Sequence, residues 1–139
     1  MSRNLQDLHP AVNRMANSFL MSAAAAGIDL LVTCTWRSGA EQAALYAQGR
    51  TAPGPIVTKA KPGQSMHNHC VQGHPASLAL DVVPMRNGKP VWKTTDPVWQ
   101  QVGQLGKAAG LAWAGDWKTF REYPHFQHPD AKRLQGALP

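Results

Sequence analysis

The sequence predicts a small α+β domain, sheet strands with flanking helices, on three observations. Apolar residues recur three or four positions apart between Pro10 and Ala26, the run LLVTCTW at 30 to 36 is rich in β-branched and apolar residues, and LALDVV at 78 to 83 alternates. The first pattern has the period of a helix with one buried face, and the other two suit strands. At 139 residues and 15.1 kDa the chain has the size of one domain and can bury roughly two thirds of its unfolded surface without staples. One unit over residues 1–139 is expected, with its core at about 10–128 and no internal repeat.

The first helix carries Val12, Met15, Ala16, Phe19, Leu20 and Ala23 on its apolar side, with Pro10 tolerable in the first turn and Gly27 suited to the position past its end. After the Leu30 to Trp36 strand, Ser38 and Glu41 have capping-box spacing and open a helix through Gln42, Leu45 and Tyr46 that Gly49 can close. Residues 50–66 hold three prolines and two glycines and predict a long ordered loop, a feature that usually serves function. In the next strand Leu78, Leu80 and Val82 share one face, leaving Asp81 the polar member of the other. Asn87 and Gly88 suggest a turn toward Val91 and Trp92. Asp96 and Pro97 can start a helix carrying Val98, Trp99, Val102 and Leu105, stopped by Gly110. The aromatic tail reads as a short strand, a turn and a second strand at Pro124 to His128, and residues beyond Pro129 as peripheral.

Charged residues are only 16% of the chain, but 14 Lys and Arg against 8 acids give +6, which favours an anionic partner: nucleic acid, an acidic membrane face or an acidic cell-wall polymer. The basic residues are scattered rather than massed, which argues against nucleic acid. The most apolar stretch, Phe19 to Cys34, is broken by Gly27 and Asp29, so no stable membrane insertion is expected. Asp7, His9, Pro10, Asn13 and Arg14 occupy the place of a signal peptide's apolar run, which predicts synthesis in the cytoplasm without a signal peptide. Cys34 and Cys70 lack zinc-knuckle spacing and are read as free, mostly buried thiols. Trp36, Trp92 and Trp99 are read as core or half-buried packing residues, and Trp113 and Trp117 as either core or the lip of a substrate groove.

The histidines are unevenly placed: His67, His69 and His74 precede Asp81, and His125 and His128 lie in the tail. A catalytic zinc takes three imidazole or carboxylate ligands and leaves a position open. His67, Asp81 and His125 supply such a set if their two strands are neighbours. Glu122, three residues before His125, would then be a carboxylate beside the ion, able to take a proton from water and hand it to a leaving nitrogen. The competing reading makes these ordinary hydrogen-bonded structural groups. His69 and His128 are read as loop residues or supports beside the site. The string HNH at 67 to 69 is no nuclease signature, because three adjacent residues cannot all face one metal.

The phrases TWRSGAEQAALYAQGR at 35 to 50, PGQSMHN at 62 to 68, LALDVVP at 78 to 84 and GDWKTFREYPHFQ at 115 to 127 occur in this order. Together they resemble the L-alanoyl-D-glutamate peptidases, zinc endopeptidases of the D-Ala-D-Ala carboxypeptidase (VanY-like) superfamily that serve as phage endolysins and bacterial cell-wall hydrolases. The resemblance implies an antiparallel sheet in a hedgehog/D-Ala-D-Ala peptidase-like fold, one zinc ion, and cleavage of the L-Ala to D-Glu bond of peptidoglycan stem peptides. It implies His67, Asp81 and His125 as ligands and Glu122 as the general base. It further implies Arg37 as a group that binds a substrate carboxylate or steadies the carbonyl oxygen, and Ser65 as an aid to orienting His67. A monomer is expected, without a separate wall-binding domain, released to the wall through a holin-like pore. A D-Ala-D-Ala carboxypeptidase and a non-enzymatic wall- or nucleic-acid-binding module are the alternatives.

One departure bears on the ligands. The family separates its first histidine and aspartate by about six residues, whereas thirteen lie between His67 and Asp81, and Ser77 replaces the usual glycine. His74 restores the usual count but lacks the preceding serine. His67 is favoured because the whole PGQSMHN phrase matches, and Asn68 to Ala76 is then read as holding an insertion of about seven residues, with His74 the competing ligand.

Overall fold

The structure, a computed structural model, describes residues 1–136. Helix α1, Pro10–Ala25, starts at a cap in which His9 Nδ1 accepts from the Ala11 amide at 3.1 Å, and it buries Val12, Ala16, Phe19 and Ala23. Strand β1, Asp29–Cys34, leads to helix α2, Gly39–Ala47. The expected capping box is present: Ser38 Oγ accepts from the Glu41 amide at 3.1 Å and Glu41 Oε1 from the Ser38 amide at 3.0 Å. Two short strands follow, β2, Cys70–Val71, and β3, His74–Pro75, then the long strand β4, Ala79–Arg86, and β5, Lys89–Pro90. Helix α3, Val98–Ala108, is followed by β6, Ala112–Trp113, β7, His125–Gln127, and helix α4, Ala131–Gly136.

The main sheet has the order β1-β4-β7-β6, every pair antiparallel, with β5 also paired to β4. Being central, β4 is buried along nearly its whole length, as strands covered on both faces are. Its alternation sends Leu80 and Val82 into a core shared with Val12, Phe19, Val102, Trp113 and Phe126, and leaves Asp81 on the other face. The register then determines Asp81's neighbours: Cys34 on β1 and His125 on β7. Helix α3 approaches the core closely at two glycines. A Cβ at Gly106 would stand 2.3 Å from the Phe126 ring, and one at Gly103 would stand 2.4 Å from Trp113.

Several sequence expectations are corrected. The first strand ends at Cys34 rather than Trp36, because Thr35 and Trp36 exchange backbone hydrogen bonds with Ser2 at 2.8 and 2.9 Å. The core begins before residue 10: Leu8 is buried and bridges to Ser77. Residues after Pro129 are not peripheral, since α4 buries Ala131 and lays Leu134 against the core. Trp92 is 55% exposed, because β5 ends at Pro90 and carries it beyond the sheet. Trp99 is buried and Trp36 half-buried, as expected.

The segment read as an insertion forms the β2-β3 hairpin, whose turn residues Gln72 and Gly73 both take left-handed φ, the signature of a tight primed turn. Residues 50–65 form the expected loop, without helix or strand beyond a single bridge at Ala52, and side chains from in and around α2 tie it down: Gln42 Nε2 donates to Ala60 O at 2.8 Å, Arg50 Nη2 to Thr58 O at 3.1 Å. Both cysteines are free, Cys34 buried and Cys70 half-buried. No described helix is long and apolar enough to cross a membrane.

Candidate metal and catalytic site

The site lies where the ends of β1, β4 and β7 meet a 3₁₀ turn at Met66–Asn68. Ser65 caps that turn, its Oγ accepting from the His67 amide at 3.2 Å, and the turn places the His67 ring over β4. His67 Nδ1 is 2.8 Å from the Thr35 carbonyl, which can only accept, so Nδ1 always carries a proton and Nε2 is the nitrogen that can bind a metal once its own proton has left. His125 is oriented by the same logic from the opposite end: Nε2 donates to Gln127 Oε1 at 2.9 Å, leaving Nδ1 free. The two free nitrogens meet one atom, since Asp81 Oδ1 is 3.2 Å from His67 Nε2 and 3.2 Å from His125 Nδ1.

A metal ion would fit this donor set. Two imidazole lone pairs and a carboxylate oxygen converge, and the ring nitrogens facing away are each held by an acceptor, the arrangement that fixes tautomers in metal sites. Cys34 Sγ also lies near, forming with His67 and Asp81 a group whose ligand atoms lie within 4.8 Å of one another, a spacing able to hold a metal ion. Its sulfur is 3.6 Å from His67 Nδ1, the edge already bonded to Thr35, while Asp81 Oδ1 meets the other ring nitrogen and also His125 Nδ1.

Electrostatics ties the cluster together when no ion is bound. Burial opposes charge on His67, but the Asp81 carboxylate outweighs it and pushes the imidazole pKa up to about 10. Burial likewise works against the Asp81 anion, yet His67 and His125 hold its carboxyl well below the usual carboxylate range. Glu122 Oε2 stands 3.9 Å from His125 Nδ1. Burial raises its carboxyl above the ordinary value, with the Asp81 charge adding to the shift and His125, His67 and Arg37 opposing it. Arg37 brings Nη2 to 3.9 Å from Asp81 Oδ2, its side chain only 11% exposed.

These residues floor a cleft of about 750 Å³. One wall is Val57 to Ala60 and the other Trp117 to Phe120, with Lys59, Lys118 and Lys132 among the lining cations. Of the two tryptophans read as core or groove lip, Trp117 lines the cleft, its ring centroid 5.6 Å from that of His125. Trp113 is core: it is 2% exposed, and its Nε1 donates to Tyr123 O at 2.8 Å. His74 is exposed on the β2-β3 hairpin and does not line the cleft, whereas His67 does. His69 is buried, with Nδ1 2.7 Å from Ala76 O, which ties the base of the hairpin. The sequence reading missed Cys34, Gln42 and Gln127 at the site. Gln127 stands two residues beyond His125, so strand period alone puts both on one face. Cys34 depends on a register irregularity in β1 that no local pattern announces.

Residues 58–128 match the family model described as D-alanyl-D-alanine carboxypeptidase. The peptidoglycan L-alanyl-D-glutamate endopeptidase CwlK of Bacillus subtilis (strain 168) is 38% identical over 129 residues, covering 87% of this chain and 73% of its own length. Among solved structures, the Serratia marcescens L-Ala D-Glu endopeptidase ChiX superimposes with a TM-score of 0.66 at 23% identity, covering 94% of this chain and 86% of ChiX. The LdcB LD-carboxypeptidase superimposes with a TM-score of 0.61 at 18% identity, covering 93% of this chain and 64% of LdcB. These last two share the fold. Since the family pattern spans half the chain and a relative of 38% identity spans most of it, the chain belongs to the D-alanyl-D-alanine carboxypeptidase family of peptidases.

Proposed function

We propose that this protein is a zinc-dependent endopeptidase that hydrolyses the L-Ala to D-Glu bond of peptidoglycan stem peptides and so lyses cell walls. The observation that carries the reading is the convergence of the His67 and His125 imidazoles on Asp81 Oδ1 with Glu122 beside them at the floor of an open cleft. The 38% identity to a peptidoglycan L-alanyl-D-glutamate endopeptidase supports the choice of bond.

His67 Nε2, Asp81 Oδ1 and His125 Nδ1 would hold the ion, with Thr35 O and Gln127 Oε1 fixing the rings from behind. Zinc bound there supplies Lewis-acid polarisation and acidifies water. Glu122 takes the proton of the attacking water and returns it to the departing D-Glu nitrogen. A carboxylate beside the ion can do both, because it accepts a proton in one step and releases it in the next. Arg37 turns a permanent positive charge toward the carbonyl oxygen as that oxygen becomes negative, or toward a substrate carboxylate. Trp117 and the Val57 to Ala60 wall hold the peptide on either side, and the lysines favour an anionic polymer.

Digestion of purified peptidoglycan followed by mass spectrometry tests the bond. The expected products carry new N-terminal D-Glu and leave L-Ala on the sugar-linked lactyl group. Release of D-Ala alone would make the protein a carboxypeptidase, and wall binding without hydrolysis by zinc-loaded protein would make it a binding module.

A further inference from the structure

We propose that Gln42 is a positioning residue for the reaction, acting through Arg37 and itself anchored on the Val57 to Ala60 wall. This rests on the role given to Arg37 above. Gln42 is 0% exposed, on the inner face of α2, and makes two hydrogen bonds that join separate parts of the cleft. Its Oε1 accepts from Arg37 Nη1 at 2.9 Å and its Nε2 donates to Ala60 O at 2.8 Å. The amide orientation is determined by these partners: turning it over would set NH₂ against the guanidinium and oxygen against the Ala60 carbonyl.

The remaining contacts of Arg37 are weaker holds. Nε points at the Met1 sulfur at 3.0 Å and Nη2 at the Cys34 sulfur at 3.7 Å, both poor acceptors, while the nearest carboxylate oxygen, on Asp81, is 3.9 Å away. Among the described residues Gln42 therefore supplies the one short oxygen acceptor to the guanidinium. It is also neutral, so Arg37 is held without its charge being cancelled. A carboxylate at this position would bind Arg37 more tightly, spend its charge inside the protein and present an oxygen to the Ala60 carbonyl. An amide is the side chain of this length that can accept from an arginine and donate to a carbonyl together. The same residue thus sets the guanidinium's direction from a position that its bond to Ala60 fixes.

The test is a double-mutant cycle on zinc-loaded protein with a stem-peptide substrate, using Gln42→Met, Gln42→Glu and Arg37→Ala. Each Gln42 variant is expected to keep its zinc and to lose about 10- to 100-fold in kcat/KM, the scale of an ångström-level misplacement. In the R37A background Q42M is expected to cost less than about 2-fold more, because the group it positions has gone. Losses that multiply across the two sites, an unaffected kcat/KM in Q42M, wild-type turnover in Q42E, or failure of both Gln42 variants to fold would each overturn the proposal. Wild-type turnover in R37A would remove the Arg37 role and the proposal with it, while leaving hydrolysis of the L-Ala to D-Glu bond standing.

Discussion

Replacing Gly106 with alanine sets two effects of opposite sign against each other at a position that joins the core to the site. In an unpacked helix, glycine to alanine gains about 1 kcal/mol from propensity alone. Here the new Cβ would stand 2.3 and 2.6 Å from the Phe126 Cε2 and Cδ2 atoms, far inside van der Waals contact. Phe126 has little room to yield, being fully buried with its ring 4.7 Å from Phe19 and stacked on Trp113 at 6.3 Å. Overpacking of this kind costs typically 1–3 kcal/mol and occasionally more, and so severe an overlap belongs at the top of that range. The net loss is expected to be about 2 kcal/mol. For a chain of this length the unfolding entropy is about 0.3 kcal/mol/K, so the melting temperature should fall by roughly 7 °C. Gly39→Ala, the first residue of α2, is the control, because its Cβ would come no nearer than 4.0 Å to another residue, and it should melt at the wild-type temperature or up to about 3 °C above it. Thermal and urea unfolding of both variants, followed by circular dichroism, measure this. Phe126 lies between His125 and Gln127 on β7, so G106A should also weaken zinc binding. A G106A protein that melts at or above the wild-type temperature would refute the packing argument.

Glu122→Gln should retain fold and zinc while the catalytic rate falls by about 10²- to 10⁴-fold, and near-wild-type turnover by zinc-loaded E122Q would reject Glu122 as the base. His67→Ala should lose metal whereas His74→Ala keeps it, since His74 lies on an exposed hairpin away from the cleft; metal analysis after dialysis shows which histidine matters. The metal-free protein should show a distinct pH dependence. His67, raised to about 10, contributes stability that is complete below its ordinary value near 6.5 and fades as pH rises through about 10. Asp81, depressed, contributes stability present above its ordinary value and lost on strong acidification. Zinc must displace the His67 proton, so binding at pH 7 should release about one proton, read by calorimetry in buffers of different ionisation enthalpy. No buffer dependence would contradict the His67 and Asp81 pairing.

Local chemistry was legible in the sequence wherever neighbours in the chain decide the outcome. The periodicity of α1, the Ser38 and Glu41 capping box and the alternation that leaves Asp81 apart from Leu80 and Val82 depend on residues a few positions apart, and all stand in the structure. The PGQSMHN, LALDVVP and GDWKTFREYPHFQ phrases likewise pointed to His67, Asp81, Glu122 and His125, because metal chemistry restricts residue type before any fold is known. What needed the tertiary structure were relations between distant segments. The pairing of Ser2 with Thr35, the burial of Leu8 and Ala131, the exposure of Trp92 and the withdrawal of Trp113 from the cleft follow from which surfaces meet, which no pattern along the chain records. Cys34 and Gln42 are of this kind. One reaches His67 through an irregularity in β1 and the other spans Arg37 and Ala60 across a cleft wall, contacts set by long-range packing rather than by any spacing along the chain.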